Sequence, residues 1–175
     1  KATPRAATAK FATDGREVAR KDLGMLAVSY GSIYVAQVAI GANPAQCIRA
    51  FHEAESFRGP SLILAYSHCI AHGIDMTTSM THQKDLVKSG FWPLFRYDPR
   101  LAHEGGQPLH LDSRRPSIPF RQVAVKEARF AMLMRSKPEH AEYLLNLAQR
   151  DIDETWRYYE QLAGLERQYS DLASL

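Results

Sequence analysis

Two short runs rich in β-branched, aliphatic and aromatic residues, Tyr34 to Ile40 and Ser61 to Tyr66, flank a stretch of chain just long enough for one helix. That spacing constrains the fold more than any other feature. Gly41 ends the first run, and Asn43, Pro44 and Gln46 then read as an N-cap, a first helical residue and a capping partner. The helix they open carries Cys47, Ile48, Phe51 and Ala54 on its apolar side and stops at Gly59-Pro60. A shorter helix from Asp22 through Ser29, with Leu23, Met25, Leu26 and Val28, reads as buried and is stopped by Gly31. Helix, strand, helix, strand with tight connections predicts an α/β layer architecture with a mainly parallel sheet, in which Ser61 to Tyr66 is covered on both faces.

Further along, Met76, Met80, Leu86 and Val87 predict a helix ending near Gly90, and Phe91 to Tyr97 an extended segment interrupted by Pro93. Leu109 to Leu111 is placed to pair with it, inside an otherwise irregular connection from Pro99 to Pro119 dense in Gly, Pro, His and Arg. The tail is helical. Ser136 and Glu139 have capping-box spacing, and Ala141, Leu144, Leu145, Ala148, Ile152, Trp156, Tyr159 and Ala163 then recur at helical intervals up to Gly164. This stripe is expected to pack on the parent body or on a partner subunit. We divide the chain into residues 1–112, carrying the sheet, and a C-terminal extension over residues 113–175.

The formal net charge of +3 is dispersed, and Arg114, Arg115 and Arg121 are too sparse for a nucleic-acid footprint. No apolar run approaches the roughly 18 residues of a spanning helix, so neither nucleic acid nor membrane is an expected partner and the cytoplasm is the default location. With 45% hydrophobic and 23% charged residues the chain matches ordinary globular proteins. Its two cysteines, Cys47 and Cys69, cannot build a disulfide framework. The first residue is not methionine, as expected for a piece of a longer protein.

The segment His68-Cys69-Ile70-Ala71-His72-Gly73 directly follows the second apolar run, and ligands in open α/β sheets bind at the carboxyl ends of strands. On the residues alone, Cys69 is either a small packed thiol with histidines satisfying backbone groups, or a metal ligand. A structural zinc or an iron–sulfur cluster takes four ligands, whereas Cys47 sits on a helix face that packing explains, so a cluster here needs ligands from elsewhere. There is no dinucleotide-binding glycine motif, P-loop or His-Glu-x-x-His. Ser61 and Ser67 lack a nucleophile elbow near His68. Glu53 and Glu55 diverge around the helix beside His52 and read as a solvated face. Phe91, Trp92 and Phe95 read as core aromatics, and no residue is assigned a catalytic role.

Several longer strings are more specific. Tyr34-Val35-Ala36-Gln37-Val38-Ala39, Ala65-Tyr66-Ser67-His68-Cys69-Ile70-Ala71-His72-Gly73-Ile74 and Thr81-His82-Gln83-Lys84 resemble the pyruvate:ferredoxin (flavodoxin) oxidoreductases. The resemblance runs from Lys1-Ala2-Thr3-Pro4 through Lys21-Asp22-Leu23-Gly24-Met25, Arg96-Tyr97-Asp98-Pro99 and Leu111-Asp112-Ser113 to Ser136-Lys137-Pro138, leaving about ten terminal residues unassigned. It implies that residues 1–112 are the C-terminal portion of a thiamine-diphosphate-binding domain.

For the longer enzyme, the resemblance implies conversion of pyruvate and coenzyme A to acetyl-CoA and CO2. Electrons would pass through iron–sulfur clusters to ferredoxin or flavodoxin, with thiamine diphosphate and Mg as cofactors. It implies that Cys69 is the fourth ligand of the 4Fe-4S cluster nearest the thiamine. The Gly-Asp-Gly and Asn-Thr-Gly-Gly segments that hold magnesium and diphosphate in such enzymes, and the other three cluster cysteines, are expected before Lys1. The isolated chain is therefore expected to be inactive, with the remainder of the oxidoreductase as its main partner and homo-oligomerisation through an open sheet edge. Two alternatives remain: a non-catalytic assembly module derived from that domain, and a zinc site at Cys69 and His72.

Overall fold

The computed structural model describes residues 3–165. Lys1, Ala2 and residues 166–175 lie outside the described residues, and with them the start of the Lys1-Ala2-Thr3-Pro4 match and the unassigned end of the C-terminal extension. The elements are α1 (Leu23–Val28), β1 (Tyr34–Val38), α2 (Pro44–Ser56), β2 (Ser61–Ala65), α3 (Ser79–Lys88), β3 (Phe95–Tyr97), α4 (Pro99–His103), β4 (Leu109–Leu111), α5 (Phe120–Ala124), α6 (Ala128–Ser136) and α7 (Pro138–Ala163). Two short 3-10 turns, Ile70–His72 and Met76–Thr78, precede α3.

The class is α/β, with a four-stranded sheet in the order β2-β1-β3-β4 and a long C-terminal helix. β1 and β2 are parallel, with Tyr34 opposite Ser61 and Val38 opposite Ala65, as the strand–helix–strand spacing predicts. The expectation of a mainly parallel sheet is wrong: β1–β3 and β3–β4 are antiparallel. The reason lies in α3. A parallel third strand requires the connection to carry the chain back to the start of the sheet. Instead, α3 and the turn after it stay at the carboxyl end of β1, where Gln83 Oε1 accepts from Gly41 N at 2.9 Å and Trp92 Nε1 donates to Val38 O at 3.0 Å. The next strand starts there and runs the other way.

β1 is buried along its whole length because both faces are covered. Tyr34, Ala36 and Val38 pack against Cys47 and Ala50 of α2 on one face. On the other, Val35, Phe95, Tyr97 and Leu109 meet Ala27 of α1 and Tyr159 of α7. A second cluster joins Ala6 and Ala7, Phe120 and Ala124 of α5, Phe130 and Leu133 of α6, and Ala141, Leu144, Leu145, Ala148 and Ile152 of α7. The predicted stripe of α7 is therefore correct, and it is buried within this chain. Its lower end is tied by Tyr159, whose hydroxyl donates to Asp22 at 2.5 Å. The same Asp22 caps α1 by accepting from Met25 N at 2.9 Å.

Other expectations need correction. β2 is an edge strand, only half-buried, because no described strand lies beyond it. The face of α2 against the sheet is Gln46, Cys47 and Ala50, while Ile48 and Phe51 are 61% and 54% exposed; small Ala50 and Ala54 let the helix approach β1 closely. In α1 only Gly24 and Ala27 are buried. Ser136 does not cap α7: it ends α6, its hydroxyl donates to Met132 O at 3.0 Å, and α7 begins after Lys137. The segment Phe91 to Tyr97 is a strand only over β3, and the connection after it contains α4 as well as β4. Glu53 is not a solvated face; it accepts from Tyr34 Oη at 2.8 Å and pairs with Arg96, which also grips Asp112 at 2.8 and 2.9 Å.

Leu144→Ala, at a fully buried position of α7, is expected to cost about 2–5 kcal/mol, against less than about 0.5 kcal/mol for Met132→Ala on the exposed side of α6. Urea denaturation followed by circular dichroism reads the difference, and equal midpoints would show that α7 is not part of the cooperative core.

Candidate functional site

After Ala65 the backbone makes one more sheet bond, from Tyr66 N to Val38 O at 3.0 Å, and then leaves the sheet at the carboxyl end of the parallel pair. Cys69 caps the 3-10 turn that follows. Its Sγ accepts from Ala71 N at 3.4 Å, and its own N–H donates to His72 Nδ1 at 3.4 Å. The side chain is exposed, as is Ile70 beside it. Gly73 closes the turn at φ 65°, a conformation that glycine adopts without strain. It also has no room for a side chain, since a Cβ there would sit 2.3 Å from Ala128 Cβ. Ala128 N donates to Gly73 O at 3.1 Å, which joins the turn to the start of α6.

Beneath the turn lies a polar network that is almost entirely buried. His68 Nε2 lies 3.1 Å from Ser79 O, a carbonyl that can only accept, so the hydrogen of the neutral ring sits on Nε2. Burial, and then the nearby His82, push the His68 pKa down and favour that neutral form. Its Nδ1 is buried without a hydrogen-bond partner among the described residues. The His82 ring is tilted against it at 4.9 Å between centroids, and His82 Nε2 lies 2.8 Å from Glu127 Oε1. Glu127 is fully buried and its other oxygen receives Arg129. Burial pushes the Glu127 carboxyl up, but the His82 hydrogen bond together with the Arg129 charge and hydrogen bond outweigh it, and the net shift is downward. Glu127 is therefore a carboxylate held between two donors.

On the other side of the turn a cleft of about 460 Å³ runs along the ends of the strands, lined in part by Gln37, Ala65, Tyr66, His72, Trp92 and Arg129. Arg20 enters it with its guanidinium 5.2 Å from the Phe91 ring and 4.9 Å from the Trp92 ring. Burial lowers its pKa and raises that of Tyr66 to about 12. Cations resting on aromatic faces at strand ends form a wall suited to an anionic or planar ligand.

His68, Cys69 and His72 are thus brought to one place, at the strand end the sequence indicates. Cys47 is buried on α2 against β1, in agreement with a packing role. Phe95 is core, whereas Phe91, which stacks on Phe120 at 5.0 Å, and Trp92 both line the cleft. Sequence reasoning assigned no role to His82, Glu127, Arg129 or Arg20. His82 carried a signal, since it shares a helix face with Leu86. Glu127 had none, because its partner lies 45 residues away.

No family model matches the chain. It is 54% identical over 164 residues to the pyruvate-flavodoxin oxidoreductase of Nostoc sp. and 51% identical over 166 residues to that of Trichormus variabilis. It is 46% identical over 163 residues to the pyruvate:ferredoxin oxidoreductase of Moorella thermoacetica. These alignments cover 94%, 95% and 93% of this chain but only 14% of each relative. The chain therefore corresponds to a segment of these oxidoreductases, in agreement with the resemblance its motifs carry.

Gly73→Ala is expected to destabilise by clearly more than Gly105→Ala. Both have positive φ, which costs a non-glycine residue about 1–2 kcal/mol, but Gly105 has open space where Gly73 meets Ala128. Equal losses in thermal or urea denaturation would show that the turn is not clamped to α6. Cys69 should react with a disulfide reagent well before Cys47, whose thiol is buried and whose pKa is pushed up by that burial. The fast phase of thiol release should vanish in Cys69→Ala.

Proposed function

We propose that this chain is the C-terminal part of the thiamine-diphosphate domain of a pyruvate:ferredoxin or pyruvate:flavodoxin oxidoreductase, and that Cys69 supplies the fourth thiolate to a 4Fe-4S cluster. The carrying observation is that the one exposed cysteine among the described residues stands at the carboxyl end of the parallel strand pair, beside a cationic, aromatic cleft.

The residues present fit such a cluster as a single ligand. Cys69 Sγ already accepts a backbone N–H from Ala71, the kind of hydrogen bond that tunes thiolate ligands, and the side chain is open to a group held by another segment. Cys47 is enclosed by α2 and β1, so three ligands must come from elsewhere. When bound, the cluster supplies one-electron steps, and thiamine diphosphate, with Mg, supplies carbanion stabilisation. This chain's residues hold and orient. His72 and Ala71 N set the turn around Cys69, the Gly73–Ala128 contact fixes that turn on α6, and Glu127 and Arg129 anchor the base of α6. Arg20, Tyr66 and Trp92 wall the cleft on the cofactor side.

In this reading residues 1–112 complete the cofactor domain and residues 113–175 are its extension. The longer protein, in the cytoplasm and as a homo-oligomer, converts pyruvate and coenzyme A to acetyl-CoA and CO2 and reduces ferredoxin or flavodoxin, while this chain alone is inactive. No described helix is long and apolar enough to cross a membrane. A second reading, a non-catalytic assembly module, draws on the surface of α2. Ile40, Ile48 and Phe51 are more than half exposed, an apolar surface suited to another segment, and no described strand pairs with the outer edge of β2.

Joining or co-expressing the chain with the upstream region of a matching oxidoreductase, anaerobically, separates the readings. Pyruvate-dependent reduction of ferredoxin or flavodoxin, together with iron and sulfide that fall or an electron paramagnetic resonance signal that changes in Cys69→Ala, is the expected result. A stable complex that stays inactive would favour assembly, and an unaltered cluster in Cys69→Ala would remove Cys69 from the ligand set.

A further inference from the structure

The buried network under the Cys69 turn holds a second grouping of metal-binding atoms, and Cys69 is not one of them. One ligand atom from each of His68, His82 and Glu127 lies within 4.8 Å of the other two, and all three residues are buried. We propose that these residues form a mononuclear site for a divalent transition metal such as zinc, independent of the iron–sulfur assignment of Cys69.

The strongest support is the state of His68. Its Nε2–H is committed to the Ser79 carbonyl, which leaves the Nδ1 lone pair buried and without a donor. A buried acceptor without a partner is unfavourable, and an ion would relieve it. The arrangement also matches the habit of metal-bound histidines, in which the ring nitrogen away from the metal donates to a backbone carbonyl or carboxylate. The ring of His82 is tilted 39° against that of His68, and Glu127 Oε1 lies 2.8 Å from His82 Nε2. Two imidazoles and one carboxylate form a zinc-ligand set, with a fourth position left for water. Metal–ligand distances of about 2.1 Å in a tetrahedron place ligand atoms about 3.4 Å apart. The separations here are at most 4.8 Å, so binding draws the ligand atoms together by up to about 1.4 Å.

Loading the site moves the hydrogen of a neutral His82 from Nε2 to Nδ1, so that Nε2 and Glu127 Oε1 turn from hydrogen-bond partners into neighbouring ligands. Arg129 keeps the other oxygen of Glu127 and orients the carboxylate as an outer partner. Its positive charge also opposes the cation, so the affinity should fall below that of a closed structural site.

Cobalt(II) titration of the 175-residue chain under reducing conditions, followed in the visible and near-ultraviolet and reversed by zinc, tests the site. One cobalt per chain is expected, with the d–d bands of nitrogen and oxygen ligation and no thiolate charge-transfer band. The spectrum should persist in Cys69→Ala. Affinity should fall at least tenfold in His68→Gln, which leaves the His82–Glu127–Arg129 contacts in place, and in Glu127→Gln, with circular dichroism confirming that at least one variant is folded. A sub-stoichiometric spectrum, a thiolate band that disappears with Cys69→Ala, or wild-type affinity in whichever variant is folded overturns the proposal.

Discussion

The structure depends on a single strand that is enclosed from every direction. β1 has α2 on one face and α1 with α7 on the other, and its two edges are taken by β2 and β3. A backbone buried in this way must pair all its N–H and C=O groups, so the neighbours of β1 are obligatory. Around it the polar chemistry is arranged at the ends and the apolar packing in the middle. The two polar side chains of the strand have partners: Gln37 donates to Pro93 O at 2.7 Å and the Tyr34 hydroxyl to Glu53 at 2.8 Å.

The same enclosure explains why the candidate site lies where it does. At the carboxyl end of β1 the last sheet bond runs from Tyr66 N to Val38 O, and beyond it the side chains of Trp92 and Gln83 bond backbone groups of Val38 and Gly41. Residues leaving the strands there are held by side chains instead of by the sheet. The Cys69 turn is accordingly positioned from below by His68 on Ser79 and from the side by Gly73 on Ala128. Glu127 ties the histidine of α3 to the start of α6, so α3 and α6 share one buried carboxylate. Such a group holds its charge only because both of its oxygens are occupied by donors.

The two halves of α7 serve different cores. Ala141 through Ile152 close the helical cluster with α5, α6 and the N-terminal segment, while Tyr159 reaches the sheet and meets Phe95 edge-on at 5.3 Å. One rigid helix thus aligns the helical layer with the sheet, and the Tyr159–Asp22 hydrogen bond fixes the α1 entry to the strand against it.

The local elements were legible where chemistry and period agree within a few residues. The Asn43 cap and Pro44 start of α2, the parallel pairing of β1 with β2, the Leu109 to Leu111 pairing and the stripe of α7 all follow from local patterns, although the Gln46 side chain turns to Gln37 O and Asp112 instead of closing a capping box. The exact strings around Cys69 likewise sufficed to tie the chain to a segment of the pyruvate oxidoreductases. What only the tertiary structure decided were the quantities that depend on where distant segments return. The direction of β3 was set by α3 remaining at one end of the sheet, and the packed side of α2 by which of two adjacent apolar stripes could approach β1 closely. The partnership of His82 with Glu127 joins residues 45 apart. Periodicity reports which side of an element is apolar, but not what will lie opposite it, because that choice is made by the packing of all the elements together.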